Sequence, residues 1–361
     1  MTIQWRVGIV GLNRGQGLVQ AMAAHPHVQI AALCDLDPAW LAEMGARFGL
    51  SDRQLFTSFE DFINAPIDIV VIATPIGYHA AQAIAALESG KHVLSEQTAA
   101  YTIEDCERLV ETVKRTGRTY MMAENYCYFH YIRQWKQIID QGRLGKIFYA
   151  EGEYLHEIVD LLIDPTTGQR RWRYTRPPIL YCAHCLGPLL MLMDDWIVRA
   201  TGVHSGQSIY PNEGIGFLDM EVGLFQTHKG AVIKILRSQV VPRHPDMVWY
   251  SLYGTKGFIE NGRGGWGRTT GQLYIEGEMP KQPGAQAIEC PTVDPDAPAE
   301  ALSGGHGTSE YYMVRDFVSA LERNARPPID VARAIDFTAP GICAHESALR
   351  GGVWIDVPHF G

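Results

Sequence analysis

Three glycines and one acid near the N-terminus define the first chemistry this chain is equipped for. In RVGIVGLNRGQGLVQAMAAHPHVQIAALCDLD (Arg6 to Asp37) an apolar, β-branched run passes through Gly11, Gly15 and Gly17 into a helical pattern and returns as a second apolar run ending in Asp35. A tight strand-to-helix turn needs glycine for its backbone freedom. The amides after it, at Leu12, Asn13 and Arg14, then suit a pyrophosphate. The spacing G-x-x-x-G-x-G departs from the usual G-x-G-x-x-G as though the turn had been shortened, so the glycines alone also fit a purely structural turn. Asp35 decides between the two, because it lies about two dozen residues past Gly11, where a second parallel strand holds a carboxylate against the adenosine ribose hydroxyls. A carboxylate there repels a 2′-phosphate, which selects NAD over NADP. The competing role for Asp35 is to end the strand and open a turn with Asp37 and Pro38.

Two further segments bring polar groups to the same place. In ATPIGYHA a strand ends at Ala73-Thr74-Pro75 and His79 opens the next helix, and KHVLSEQTAA ends a strand at Glu96 and Gln97. Ligands of open α/β sheets bind outside the carboxyl ends of the strands, where Thr74, Pro75, His79, Glu96 and Gln97 are expected. Cys182 and Cys185 have C-x-x-C spacing in YCAHCLG, but no second ligand pair matches it, so they read as reduced thiols in a packed segment and no metal is assigned.

The elements that must position these groups alternate in the first third. VGIVGL and IDIVVIATP are continuous apolar runs, as expected of parallel strands covered on both faces. Helical patterns separate them. HAAQAIAALESG closes at Gly90, and YTIEDCERLVETVKRTG runs from a Thr102 N-cap to Gly117 with Ile103, Cys106, Leu109, Val110 and Val113 on one stripe. Repeated β-α units imply a doubly wound parallel sheet over residues 1–122. From residue 123 the pattern changes to one helix (YIRQWKQIIDQG) and alternating strands: GKIFYAEGEYLHE, LDMEVGLFQTHKGAVIKILRSQV and WYSLYGTKGFIEN. Residues 123–361 are therefore expected to form a second α+β domain with a large, mostly antiparallel sheet. Within it, Pro280 to Gly307 reads as a long loop, followed by the helix SEYYMVRDFVSALERN.

A chain of 361 residues favours two domains, and 46% hydrophobic with 20% charged residues is an ordinary globular composition. The net charge of -9 argues against nucleic acid and anionic membrane as partners. No leader pattern or spanning apolar run is apparent, and the seven cysteines form no even framework, so a cytoplasmic location is expected.

Taken together, VGIVGL, CDLD, IATPIGYHA, ESGKHVLSEQTAA and RLGKI resemble the glucose–fructose oxidoreductase, inositol dehydrogenase and rhizopine-catabolism family, Gfo/Idh/MocA. The resemblance covers the whole chain and is strongest in its first half. It implies an N-terminal Rossmann domain, a C-terminal domain with a large sheet, a nicotinamide cofactor, redox chemistry on a sugar or cyclitol hydroxyl, and a dimer or tetramer. Members usually carry Glu-Lys-Pro where this chain has Glu96-Gln97-Thr98. Gln97 cannot titrate; it can hydrogen-bond to nicotinamide ribose or to substrate, and the base must lie elsewhere.

The segments MMAENYCY (Glu124, Asn125), GEYLHE (Tyr154, His156) and ILYCAHCLGP (Tyr181, His184) resemble a branch of that family, the NAD-dependent glycoside hydrolases of the α-N-acetylgalactosaminidase type. That branch also lacks the lysine and carries Tyr-x-x-His-x-Leu-Gly-Pro, here Tyr181 to Pro188; GGHGTSEYYMVRDF is a further likeness. The resemblance implies His184 and Tyr181 as the groups that take the hydroxyl proton, Tyr154 or His156 as the group that removes a neighbouring C–H proton, Glu124 as a ligand of sugar hydroxyls and Asn125 as a cofactor contact. In RRWRYTR, Arg170, Arg171, Arg173 and Arg176 read as the solvated face of a loop, with Arg173 the candidate should the segment clamp a substrate. Without the resemblance, each Tyr and His reads as structural. Three functions follow: an NAD-dependent oxidoreductase acting on a sugar ring hydroxyl, a redox-neutral glycoside hydrolase or lyase that uses the same oxidation, or a sugar and NAD sensor without turnover.

Overall fold

A computed structural model of the chain describes residues 4–264 and 270–361; the side chain of Arg14 also lies outside the described residues. The chain divides into two compact units, one made of residues 1–129, 293–335 and 360–361, the other of 130–292 and 336–359. After Thr292 the chain therefore returns to the first unit, whereas the sequence reading continues the second domain from residue 123 to the end. The helix Ser309–Glu322 belongs to the first unit, where it packs on the helix Leu12–Ala24.

In the first unit six strands form one sheet: β1 (Trp5–Val10), β2 (Val28–Cys34), β3 (Leu55–Phe56), β4 (Ile69–Ile72), β5 (His92–Glu96) and β6 (Tyr120–Ala123), in the order β3-β2-β1-β4-β5-β6. Every pair is parallel. β4 and β6 are buried along their whole length, which is why their sequences are unbroken apolar runs. The helix Ile103–Thr116 starts and stops where its sequence says. Thr102 Oγ1 accepts from the Asp105 amide at 3.1 Å, and Gly117 ends it in the left-handed conformation at φ 64°. The connection order reverses between β1 and β4, which opens a crevice at the carboxyl ends of these strands.

Among the described residues the second unit carries nine strands: β7 (Ile147–Leu155), β8 (Ile197–His204), β9 (Glu221–Thr227), β10 (Val232–Ser238), β11 (Met247–Gly254), β12 (Gly257–Glu260), β13 (Thr270–Ile275), β14 (Gln286–Glu289) and β15 (Ile355–Asp356). Their order is β14-β13-β12-β11-β7-β10-β9-β8-β15, antiparallel throughout except for β7 with β10. β14 and a short 3-10 turn at Ala299–Ser303 interrupt the stretch read as one long loop; paired only through β13, β14 is an edge strand with little apolar pattern to announce it.

One helix, Ala183–Met193, covers the middle of this sheet and is buried on nearly every side. It lies close enough to β7 that a Cβ on Gly152 would stand 3.0 Å from the Cys185 Cβ and 3.4 Å from Leu189. Strand alternation then puts Tyr154, two residues on, under the same helix, while Glu151 and Glu153 point to the opposite face.

Candidate functional site

Gly11 makes the whole connection between β1 and the helix Leu12–Ala24. It takes φ 86°, and a Cβ there would lie 2.6 Å from the carbonyl carbon and oxygen of Ala73, so only glycine lets the turn sit against the end of β4. Its own amide donates to Cys34 O at 3.0 Å. The helix has no side-chain cap and no acid in its first turn. Asp35 brings a negative charge to it: Oδ2 accepts from the Leu12 amide at 2.7 Å and Oδ1 from the Asp37 amide at 3.0 Å. The carboxylate thus ties the end of β2 to the helix start, and each oxygen retains a lone pair for a ribose hydroxyl. An uncapped helix N-terminus at the sheet crevice, beside an acid, fits a dinucleotide. Asn13 is exposed in the first turn. Gly15 lies against Ala73, where a Cβ would come within 3.0 Å of the alanine's own.

His79 works through backbone. It is buried, with Nε2 2.7 Å from Thr74 O and Nδ1 2.9 Å from Thr98 O, so it braces the loop after β4 against the loop after β5. Burial lowers its pKa, against the opposing pull of these carbonyls. Thr74 Oγ1 donates to Gln82 at 2.6 Å, and Pro75 caps the short turn Ile76–Tyr78. Gln97 is buried, and its amide donates to Glu96 Oε2 at 3.3 Å.

Beyond β6, Glu124 is completely buried and accepts from the Tyr126 amide at 3.2 Å. Burial pushes its carboxyl well above the usual carboxylate range; the charge of Glu96 adds to this and the Tyr126 hydrogen bond opposes it. Asn125 Nδ2 donates to Glu310 Oε1 at 3.1 Å, and the same oxygen lies 2.6 Å from His306 Nδ1. Burial alone would raise Glu310, but the hydrogen bond and charge of His306, with the Asn125 amide, outweigh it and hold the carboxyl below its usual range. His306 is thereby anchored beside the second turn of the glycine helix, where a Cβ on Gly17 would lie 3.2 Å from the Gly305 amide.

The second unit gathers Tyr154, His156, Tyr181 and His184 into one cluster. Tyr154 and His184 meet edge to face with ring centroids 5.6 Å apart, and Tyr181 meets His184 in the same way at 5.1 Å. The Tyr154 hydroxyl lies 2.6 Å from His156 Nδ1, and His156 Nε2 lies 3.0 Å from Asp246 Oδ2. Since the carboxylate can only accept at Nε2, Nδ1 is the acceptor for the tyrosine proton. Backbone contacts fix the two segments. The Tyr250 hydroxyl donates to His184 O, and Glu221 Oε2 accepts from the Ile179 amide at 2.7 Å, holding the turn that presents Tyr181.

Two buried arginines complete the cluster. Arg237 has its Cζ 4.2 Å above the Tyr154 ring and 5.5 Å from Tyr181, and Arg176 stands 4.3 Å above Tyr181. Arg176 corrects the reading of RRWRYTR as a solvated face: it is 1% exposed, because the chain turns inward after Thr175 and two aromatic rings with Gln239 receive the guanidinium. Arg173, half-buried, stacks on Trp172 at 4.2 Å. Sequence reading missed Asp246, Arg237 and Glu310. Asp246 lies in a short loop between β10 and β11, far from His156 in the chain, and only the pairing of β7 with β11 brings the two together. All seven cysteines, Cys182 and Cys185 among them, are buried thiols. Among the described residues no group of three or more His, Cys, Asp or Glu is arranged to hold a metal, and no helix is long and apolar enough to cross a membrane.

Fold and site together define a class: an oxidoreductase with a dinucleotide-binding Rossmann unit and a second unit built on a large, mostly antiparallel sheet. Residues 5–124 match the oxidoreductase family with an NAD-binding Rossmann fold, Gfo/Idh/MocA, and the chain is an NAD-binding enzyme similar to that family. Similar proteins include a glycosyl hydrolase family 109 protein of Solibacter usitatus (strain Ellin6076), 27% identical over 98% of this chain and 88% of the relative. Another, from Saccharopolyspora erythraea, is 28% identical over 98% and 83%. Among solved structures, levoglucosan dehydrogenase in complex with NADH shares the fold at a TM-score of 0.83 and 22% identity, covering 99% of this chain and all of that one.

Proposed function

We propose that the enzyme oxidises a ring hydroxyl of a sugar or glycoside, the first unit holding NAD and the second making the proton transfers. The observation that carries this is the joining of four acid/base side chains, Tyr154, His156, Tyr181 and His184, into one ring cluster backed by Asp246. NAD, when bound, supplies a hydride acceptor. The Asn13 amide would hold its phosphates, and the carboxylate of Asp35, which itself ties down the Leu12 amide, would hold its ribose. Thr74 and Pro75, braced by His79, line the same edge with Glu96, Gln97 and Asn125. His184 and Tyr181 take the hydroxyl proton, so no lysine is needed where Gln97 stands. Glu124, whose carboxyl burial pushes well above the usual carboxylate range, binds sugar hydroxyls, and Gln97 and Arg173 add substrate contacts.

A second reading has its own support. Two Tyr–His pairs exceed what one oxidation requires, and the relatives named glycosyl hydrolase family 109 span nearly the whole chain. In this reading Tyr154 or His156 would remove the proton of the C–H beside the oxidised carbon, the aglycone would leave as its protonated alcohol and water would add, while bound NAD would supply both the oxidation and its reversal. The net reaction is then glycoside cleavage without consumption of NAD. Incubating the protein and NAD with nitrophenyl glycosides and with free sugars separates the two. NADH accumulating on free sugars establishes the dehydrogenase, nitrophenol release without net NADH establishes cleavage, and neither on any sugar refutes both.

The same reading makes the protein a cytoplasmic homo-oligomer, dimer or tetramer. Buried thiols throughout the chain support a reducing compartment. For assembly, Val203, Leu224 and Val232 are exposed side by side on the face of the large sheet turned away from the helix Ala183–Met193. Light scattering on the purified protein tests the oligomer.

A further inference from the structure

We propose that Arg237 is a positioning residue of the reaction, a buried cation that holds the two tyrosines in place and stabilises the negative charge that forms on Tyr154 when it passes its proton to His156. The inference rests on the proposed role of Tyr154 in proton transfer.

Arg237 lies beside Tyr154 in the parallel β7–β10 register and is 2% exposed. Its guanidinium does three things at once. Nη1 donates to Tyr154 O at 3.0 Å, Nε donates to Pro178 O at 3.3 Å at the start of the turn that ends in Tyr181, and the planar group lies 4.2 Å above the Tyr154 ring. One side chain therefore fixes the backbone of both tyrosine segments and places a full positive charge against the ring of the first. A guanidinium is costly to bury, and a structural tie between two carbonyls needs only a neutral donor; the position over the ring gives the charge a function.

The proton balance is closed. The Tyr154 O–H bond breaks as its hydrogen joins His156 Nδ1, leaving a phenolate and an imidazolium whose Nε2–H faces the Asp246 carboxylate. The phenolate then takes a proton from substrate, restoring the O–H bond and leaving the negative charge on substrate. Arg237 acts on the first step, where charge appears on a ring that has little water around it. The charged and titratable groups around Tyr154 and Arg237 are His156 from the end of β7, Asp246 from the loop before β11, His184 from the covering helix, Glu221 from β9 with its partner His345, and Arg176 with Tyr181 from the turns after Trp172. Of the two cations, Arg237 is the one placed over Tyr154.

The test is a titration of phenolate absorbance, read as wild type minus Tyr154→Phe so that one tyrosine is isolated, and repeated in Arg237→Gln and Arg237→Lys backgrounds. Glutamine keeps a donor for the carbonyls and loses the charge; lysine keeps the charge and loses the planar stack. Melting temperature and NAD affinity report folding in each case. The Tyr154 midpoint moves to higher pH by about one unit in R237Q and stays near wild type in R237K. An unmoved midpoint in folded R237Q overturns the proposal. Should R237Q not fold, R237K decides alone, because a midpoint displaced upward with the charge retained contradicts an electrostatic role. The titration needs no substrate: absence of turnover on every sugar removes the functional reading and leaves this result standing, while turnover with an unmoved midpoint does the reverse.

Discussion

The Tyr154 hydroxyl faces His156 Nδ1 at 2.6 Å, while the other nitrogen of that ring is held by Asp246 at 3.0 Å. Carboxylate, imidazole and phenol stand in a line in which each group sets the hydrogen-bonding role of the next. Tyr154→Phe removes the end of the line proposed to meet substrate and is expected to lower kcat by roughly 10²–10⁴-fold with NAD affinity unchanged. Asp246→Asn keeps the shape and frees the histidine tautomer, so its loss is smaller. Steady-state kinetics on both variants checks the order, and equal losses would show that Asp246 does more than orient.

Asp35 ties the Leu12 amide, and in the proposed cofactor site its carboxylate also accepts from ribose. Asp35→Ala is expected to weaken NAD binding by about 1–3 kcal/mol, the range for leaving donors without an acceptor. Calorimetric titration of NAD measures it, and unchanged affinity removes Asp35 from the cofactor site.

Glu124 gives a pH prediction whose sign follows from its raised pKa. The folded state holds this proton above pH 4.5, the ordinary value from which the pKa is raised, whereas the unfolded chain releases it there. Stability contributed by this group therefore falls as pH rises from that value toward the folded pKa. Glu124→Gln removes the dependence. Its melting temperature should gain on wild type as pH is raised from the ordinary value toward the folded pKa, with little difference below the ordinary value. Parallel curves would mean that the carboxyl is ionised in the fold.

Gly152 lets the helix bearing His184 approach the strand bearing Tyr154. Gly152→Val inserts atoms where a Cβ already meets Cys185 at 3.0 Å and Ile235 at 2.9 Å, so a loss of about 1–3 kcal/mol in stability is expected from overpacking. Denaturant unfolding measures that cost. Because the helix must move away from β7, turnover falls further than stability alone explains, which a comparison at a temperature where both proteins are folded would show.

Much of the first unit was legible because its signals are local. β1, the Gly11 turn and Asp35 fall within one β-α-β stretch, and the Thr102 cap and Gly117 stop are read from adjacent residues. The four acid/base residues were visible as short motifs, yet their union was not, since it depends on the register of β7 with β10 and β11 and on the helix over Gly152. Arg176 looked like its neighbours in an arginine-rich run and differs from them only in where the chain turns. The return of residues 293–335 to the first unit leaves no compositional mark, because the helix Ser309–Glu322 has the same amphipathic pattern whichever sheet it covers.

Formation of NADH in a single turnover most directly tests whether the Tyr181–His184 pair takes the hydroxyl proton. Wild type and a Tyr181→Phe, His184→Ala double variant, both loaded with NAD, are mixed with a sugar or glycoside that the wild type transforms, and NADH absorbance is followed before any return of the hydride. The expected result is a rate lower by roughly 10²–10⁴-fold in the double variant with NAD affinity intact. NADH appearing at the wild-type rate would contradict the assignment and place the base outside this pair.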